Sequence, residues 1–196
     1  MSKLLKKIPK QERSRVTVET IVEATTRIIE DEGLAALSTN RVAEVAGVSI
    51  GSLYQYFPNK EALIAEVRTR FGARFETAML ELLGRLPGLE LREAIRAWVT
   101  TLVELHAESP GVHNAVGTGT PPEAVRAIAA AVDGYLASRA GAIRRPDRRL
   151  AGRVMFDAAE ALVHNTALRE PALLDDPRWV AEVGDLLERY LVLDDH

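Results

Sequence analysis

The sequence predicts an all-α protein, with an N-terminal domain of three helices followed by a larger C-terminal helical domain. Three observations lead there. Apolar residues recur at the 3.6-residue spacing of helices in almost every segment. Each segment opens near Ser, Thr, Asn or Asp and closes near Gly or Pro, the residues that cap and break helices. No stretch alternates apolar and polar residues as a half-buried strand does. About nine helices of ordinary length fit into the 196 residues.

The first helix carries Val18, Ile21, Val22, Ile28 and Ile29 on one face and stops at Gly33, a residue free to take the left-handed turn that ends a helix. Ser38 is placed to cap a short second helix, with Val42, Ala43 and Ala46 facing inward and Gly47 breaking it. Ser49 caps a third, very short helix reaching about Gln55, and Pro58 ends it by disfavouring the α conformation at Phe57. Asn59 caps a long fourth helix that holds Leu63, Val67, Phe71, Phe75, Met79 and Leu82 and ends near Leu86-Pro87-Gly88. A fifth runs from about Leu91 to Glu108, before Ser109-Pro110-Gly111. After a short segment and the turn-rich Gly117-Thr118-Gly119-Thr120, a capping-box pattern of Thr120, Pro121 and Glu123 starts another helix, which runs to about Ala140. Two more follow, from about Asp147 to Arg169 and from Asp176-Pro177 to about Leu193.

Composition excludes several classes. With 47% hydrophobic residues and a net charge of −3, the chain folds instead of remaining disordered. No apolar run approaches the ~20 residues of a membrane span. The basic N-terminus lacks the apolar stretch of ~7–15 residues that a secretory signal needs. A cytoplasmic protein without a membrane partner is therefore expected. The absence of cysteine removes disulfides and thiolate chemistry. The four histidines show no metal-ligand spacing, and no nucleophile elbow is present. Gly117-Thr118-Gly119 lacks both the preceding strand and the nearby lysine of a phosphate loop. Neither an enzyme, a cofactor nor a metal site is expected. Charge is polarised: residues 1–15 sum to +5, and the remaining 181 to −8. A basic arm of this kind either meets nucleic acid or is a solvated tail.

The segment after the arm favours nucleic acid. From Ser38 to Gln55 the order helix, tight turn at Gly47, helix has the spacing of a helix-turn-helix. Ala43 and Ala46 are small enough for close crossing, and Val48 plugs the corner. The third helix presents small, hydrogen-bonding or aromatic residues suited to a major groove ~12 Å wide. Moreover, Gly47 to Leu63, G-V-S-I-G-S-L-Y-Q-Y-F-P-N-K-E-A-L, closely resembles the signature of the TetR family of bacterial transcriptional regulators, roughly G-V-S-x-x-x-L-Y-x-Y/H-F-x-x-K-E-x-L. The strong resemblance covers about residues 15–65. Ile29 departs mildly, where an aromatic is frequent, and Arg41 stands where many members carry an acid, adding positive charge beside the second helix.

The resemblance implies a DNA-binding regulator with a basic arm at 1–15, a helix-turn-helix domain at 16–62 and a C-terminal ligand-binding and dimerisation domain at 63–196. Its partners would be a palindromic operator in double-stranded DNA, a second copy of itself and a partly apolar small molecule. Tyr54 and Tyr56 resemble an aromatic pair that reaches DNA, and Lys60 a phosphate-binding lysine aided by the helix dipole. Ser38 or Thr39 can donate to a phosphate, and Arg13 or Arg15 can follow the backbone or enter a minor groove. Ser49, Ile50, Gly51, Ser52 and Gln55 are candidates for base readout, with Gln55 suited to adenine and Ile50 to a thymine methyl.

In the C-terminal half, Trp98, His106, His113, Tyr135, Phe156 and Glu160 are the aromatic or polar residues that could mark a ligand pocket. His164 and Asn165 suit either a pocket or an interface. The last two helices carry apolar residues on more than one face, as a helix buried on two sides does. Leu150, Val154, Ala158, Ala161, Leu162 and Asn165, with Val183, Leu187, Tyr190 and Leu191, are the expected dimer interface, a four-helix arrangement of two copies.

Overall fold

The computed structural model describes residues 12–116 and 122–193. Among them are nine α-helices, and the one β feature is an isolated antiparallel bridge between Ile143 and Val192. The helices are α1 Glu12–Asp31, α2 Thr39–Ala46, α3 Ile50–Tyr56, α4 Lys60–Arg85, α5 Leu91–Glu108, α6 Pro110–Val116, α7 Pro122–Ser138, α8 Arg148–Arg169 and α9 Pro177–Leu191. No helix among the described residues is long and apolar enough to cross a membrane. The arm through residue 11, the Thr120-Pro121 cap and His196 lie outside the described residues.

Local chemistry explains the helix boundaries. Ser38 accepts a hydrogen bond from Arg41 N at 3.2 Å, Asn59 Oδ1 one from Ala62 N at 2.9 Å, and Asp147 Oδ1 one from Leu150 N at 3.0 Å, so each satisfies an orphan donor of a first turn. Glu90 and Glu93 form a reciprocal capping box on α5. The described chain is already helical at Glu12, so Arg13 and Arg15 belong to a helix and not to an extended arm; Arg15 pairs with Glu12 at 2.6 Å.

The chain divides into two compact units. The first holds residues up to 73 and returns for 111–116; the second holds 74–110 and 122–193. In the first, Ile21, Ile28, Val42, Leu53, Phe57 and Leu63 form a core around which α1, α2, α3 and the start of α4 pack. In the second, α8 and α9 both pack on α5 and on each other, and α7 lies on α8. Trp98, Leu102, Ala159, Val163, Leu187 and Leu191 are central to its core.

The border between the compact units lies at residues 73 and 74. It falls inside α4, and α6 belongs to the first unit. The physical reason is Glu30, near the end of α1, whose carboxylate accepts from Gly111 N at 2.9 Å and Val112 N at 2.8 Å. These are first-turn donors of α6, so an acid from α1 caps a helix some eighty residues later. The approach needs glycine: a Cβ on Gly111 would lie 2.7 Å from Glu30 Oε2 and 3.1 Å from its Cα.

Candidate nucleic-acid interface

The turn between α2 and α3 is set by backbone requirements. Gly47 takes φ 65° and ψ 29°, the left-handed conformation that costs other L-residues about 1–2 kcal/mol. Its N–H donates to Glu44 O and that of Val48 to Ala43 O at 3.0 Å, closing α2 and turning the chain into α3. Ser49 caps α3 by accepting from Ser52 N at 3.0 Å, and the two serine hydroxyls lie 2.8 Å apart.

The seven residues of α3 then sort into two faces. Leu53 and Tyr56 point into the core. Ile50, Gly51, Tyr54 and Gln55 are exposed, as is the cap Ser49, with Ser52 half-buried beside them. The hydroxyls of Thr39, at the start of α2, and Tyr54 are 3.1 Å apart. One donates to the other, and the remaining hydrogen can go to an external acceptor. Lys60 is the first residue of α4. Gly51 is informative because the fold does not demand it: a Cβ there would meet only Ser49 Oγ, at 3.8 Å. Placed in the first turn, it leaves the outer surface of α3 open to close approach.

Two expectations change. Tyr56 does not share a surface with Tyr54; it is 7% exposed in the small core, against 42% for Tyr54. Residues two apart on a helix lie roughly 200° apart around its axis, so the pair cannot face one partner. Arg41 adds no free charge beside α2. Its guanidinium binds Glu32 through Nε and Nη2, the shortest contact being 2.8 Å, and Glu44 at 3.1 Å. Hydrogen bonding to Arg41 holds the Glu32 carboxyl below its ordinary value, and the two acids push the Arg41 pKa upward.

The proposed ligand residues separate. Trp98, Tyr135 and Phe156 border one apolar cavity of about 40 Å³ in the second unit, with the Trp98 and Phe156 rings 4.9 Å apart. His106 and Glu160 are not on its wall: His106 Nδ1 donates to Leu102 O at 2.8 Å and its Nε2 faces Glu160 at 3.6 Å. His113 belongs to the first unit, edge-on to Phe71. The other lining residues, such as Met79, Leu83, Ile128 and Met155, have no sequence mark, since a cavity wall and a solid core share the same apolar pattern.

The expected interface also divides. Leu150, Val154, Ala161, Leu162 and Asn165 are exposed along the outer side of α8, and Ala158 and Tyr190 are half-buried. Val183, Leu187 and Leu191 are buried within the chain's own core, because that stripe of α9 is part of the packing on α5 and α8; they are not accessible to a partner. Leu186, 56% exposed, is a large apolar residue that α9 leaves outward.

A tight-turned helix pair that buries one face of a short helix and exposes the other is the geometry of a helix-turn-helix regulator. The model of bacterial regulatory proteins of the tetR family matches residues 21–67, and that of the tetracyclin repressor-like C-terminal domain matches 90–191, more than half of the chain. The chain belongs to the tetR family of bacterial regulatory proteins. It is 31% identical over 113 residues to the nucleoid occlusion factor SlmA of Glaesserella parasuis serovar 5 (strain SH0165), covering 54% of this chain and 51% of that one. The chain thus spans about half the length of the SlmA relatives it matches. It is 27% identical over 184 residues to the uncharacterized HTH-type transcriptional regulator YhgD of Bacillus subtilis (strain 168), covering 88% of this chain and 93% of that one. A TetR family transcription regulator from Marinobacter aquaeolei VT8 shares the fold with a TM-score of 0.64 at 22% identity, over 93% of this chain and 99% of that one. These relatives are named as transcriptional regulators and nucleoid occlusion factors.

Proposed function

We propose that the protein is a cytoplasmic repressor that binds a palindromic operator as a homodimer and leaves it when a small molecule occupies the second unit. The observation that carries this reading is the outer face of α3, where Ser49, Ile50, Gly51, Tyr54 and Gln55 stand exposed on a helix anchored by Leu53 and Tyr56. In the major groove, Gln55 pairs with an adenine edge and Ile50 touches a thymine methyl, while Gly51 lets the backbone approach. The Thr39–Tyr54 hydroxyl pair, Ser38, Lys60 and Arg15 meet phosphates and fix the register. The outer row of α8 from Leu150 to Asn165 is the surface for the second copy. With two copies, each α3 enters a major groove, and the half-sites lie about one helical turn apart or slightly more.

The test is fluorescence anisotropy of the purified protein on the DNA upstream of its own gene, against a scrambled duplex, at several salt concentrations. Preferential, salt-dependent binding that Tyr54→Ala weakens is the expected result. Unchanged affinity in both Tyr54→Ala and Lys60→Ala overturns the interface. A second reading is favoured by the match to the nucleoid occlusion factor SlmA: a DNA-bound factor that no small molecule releases. It predicts that compounds which stabilise the folded protein leave its DNA affinity unchanged.

A further inference from the structure

The cavity of the second unit is lined by apolar side chains and by two that carry a polar atom, Trp98 and Tyr135. Among the described residues, no carboxylate, guanidinium, ammonium or imidazole borders it. Of the polar atoms of these two side chains, the Tyr135 hydroxyl is already engaged, donating to Leu89 O at 3.0 Å. The Trp98 indole Nε1–H is buried and meets no acceptor. A buried donor left unmade is costly, a cost that a wholly apolar aromatic at 98 would not carry.

We propose that this cavity takes a neutral, largely apolar, single-ring molecule carrying one hydrogen-bond acceptor, and that Trp98 Nε1–H donates to that acceptor. Charge is excluded because an ion entering here loses its hydration with no group to replace it. The ring stacks beside Trp98 and Phe156, which already sit tilted by 40° at aromatic-pair distance. At about 40 Å³ the cavity holds only a few waters, at ~10–15 Å³ for each. The ligand therefore enlarges it. Met79 and Met155 are the flexible parts of the wall, unbranched side chains that change rotamer readily. The side near Gly152 has no spare room, since a Cβ there would lie 2.5 Å from Leu136 Cδ1.

The consequence of binding at DNA rests on the effector-controlled reading above; binding itself is measured without DNA. Acetophenone, ethylbenzene and benzoate are similar in size and differ in acceptor and charge. They are titrated into the ¹⁵N-labelled full chain, whose two tryptophans, Trp98 and Trp179, give two indole N–H resonances, assigned with Trp179→Phe. Acetophenone is expected to move the Trp98 indole proton downfield and to bind roughly three- to tenfold more tightly than ethylbenzene, the worth of one neutral hydrogen bond. Benzoate is expected to give no saturable shift. In Trp98→Phe the preference should vanish while ethylbenzene binding persists. A preference retained in Trp98→Phe, tighter binding of benzoate, an unmoved Trp98 resonance, or binding of none of the three overturns the proposal. The wild-type spectra decide even where Trp98→Phe does not fold. Anisotropy on the operator then separates the two ideas: binding with the expected ranking and no loss of DNA affinity rejects the effector reading and leaves the ligand chemistry standing.

Discussion

Tyr54 and Tyr56 show what single residues disclose. Both belong to one motif, yet one faces out and the other is core, and only the helical phase tells them apart. Tyr56→Ala is expected to destabilise the first unit by about 3 kcal/mol in denaturant unfolding, the cost of an aromatic lost from a core. Tyr54→Ala should leave the unfolding midpoint nearly unchanged and weaken operator binding; the reverse pattern would invert the two assignments. Lys60→Ala should weaken specific and scrambled DNA alike and lower the slope of log K against log salt by about 0.9 per protomer, as one lost phosphate contact does. Gly47 was legible in the sequence because the left-handed turn it occupies has a residue preference of its own. Arg41 was not: its neutralisation depends on Glu32 and Glu44 arriving at its guanidinium, which pattern alone does not place.

At the scale of elements, helix ends written in local chemistry could be read directly, and ends written in tertiary chemistry could not. Asp176-Pro177 announces α9, and the Asp176 carboxylate accepts from Arg178 N at 2.9 Å. Its pKa is held down at about 2, chiefly by the Arg178 side chain and then by that backbone bond. A carboxyl depressed in the folded state stabilises it above the unfolded value, near ~3.9, and the contribution is lost as pH falls toward 2. Asp176→Asn keeps an N-cap acceptor and removes the titration. Its stability relative to the parent should therefore improve progressively from pH 4 to pH 2, followed by urea unfolding; parallel curves would count against the cap. The start of α6 carries no such local signal, since its acceptor, Glu30, is supplied from α1. Glu30→Ala is expected to cost about 2 kcal/mol, as charge-assisted bonds to two backbone donors are lost. Hydrogen exchange should quicken at Gly111 and Val112 while the amides of α3 keep their protection. Unaltered exchange at those two positions would show that α6 is held by Val112 packing alone.

For the whole molecule, the open question is which surface covers α8. The doubly apolar character of the last two helices was visible in the sequence, but periodicity says only that a face is apolar, not which neighbour covers it. On α9 the neighbour is the chain's own core, which accounts for Val183, Leu187 and Leu191. On α8 that core does not reach Leu150, Val154 and Leu162, which remain exposed at helical spacing with Leu168. In the proposed homodimer a second copy would bury this row in a self-complementary contact, and the same contact would make the two α3 helices bind as one unit. The energetic gain on DNA is an effective concentration, worth on the order of a hundredfold or more in affinity without any new base contact. Val154→Glu and Leu162→Glu together place two carboxylates in the proposed interface while replacing no buried residue. The double variant is expected to retain its helical circular dichroism, to run as a monomer by light scattering where the parent is a dimer, and to lose operator affinity by about a hundredfold. Retention of the dimer would move the interface off α8. A monomer with undiminished affinity would instead show that a single first unit suffices for recognition, and that the palindrome is not read by paired copies.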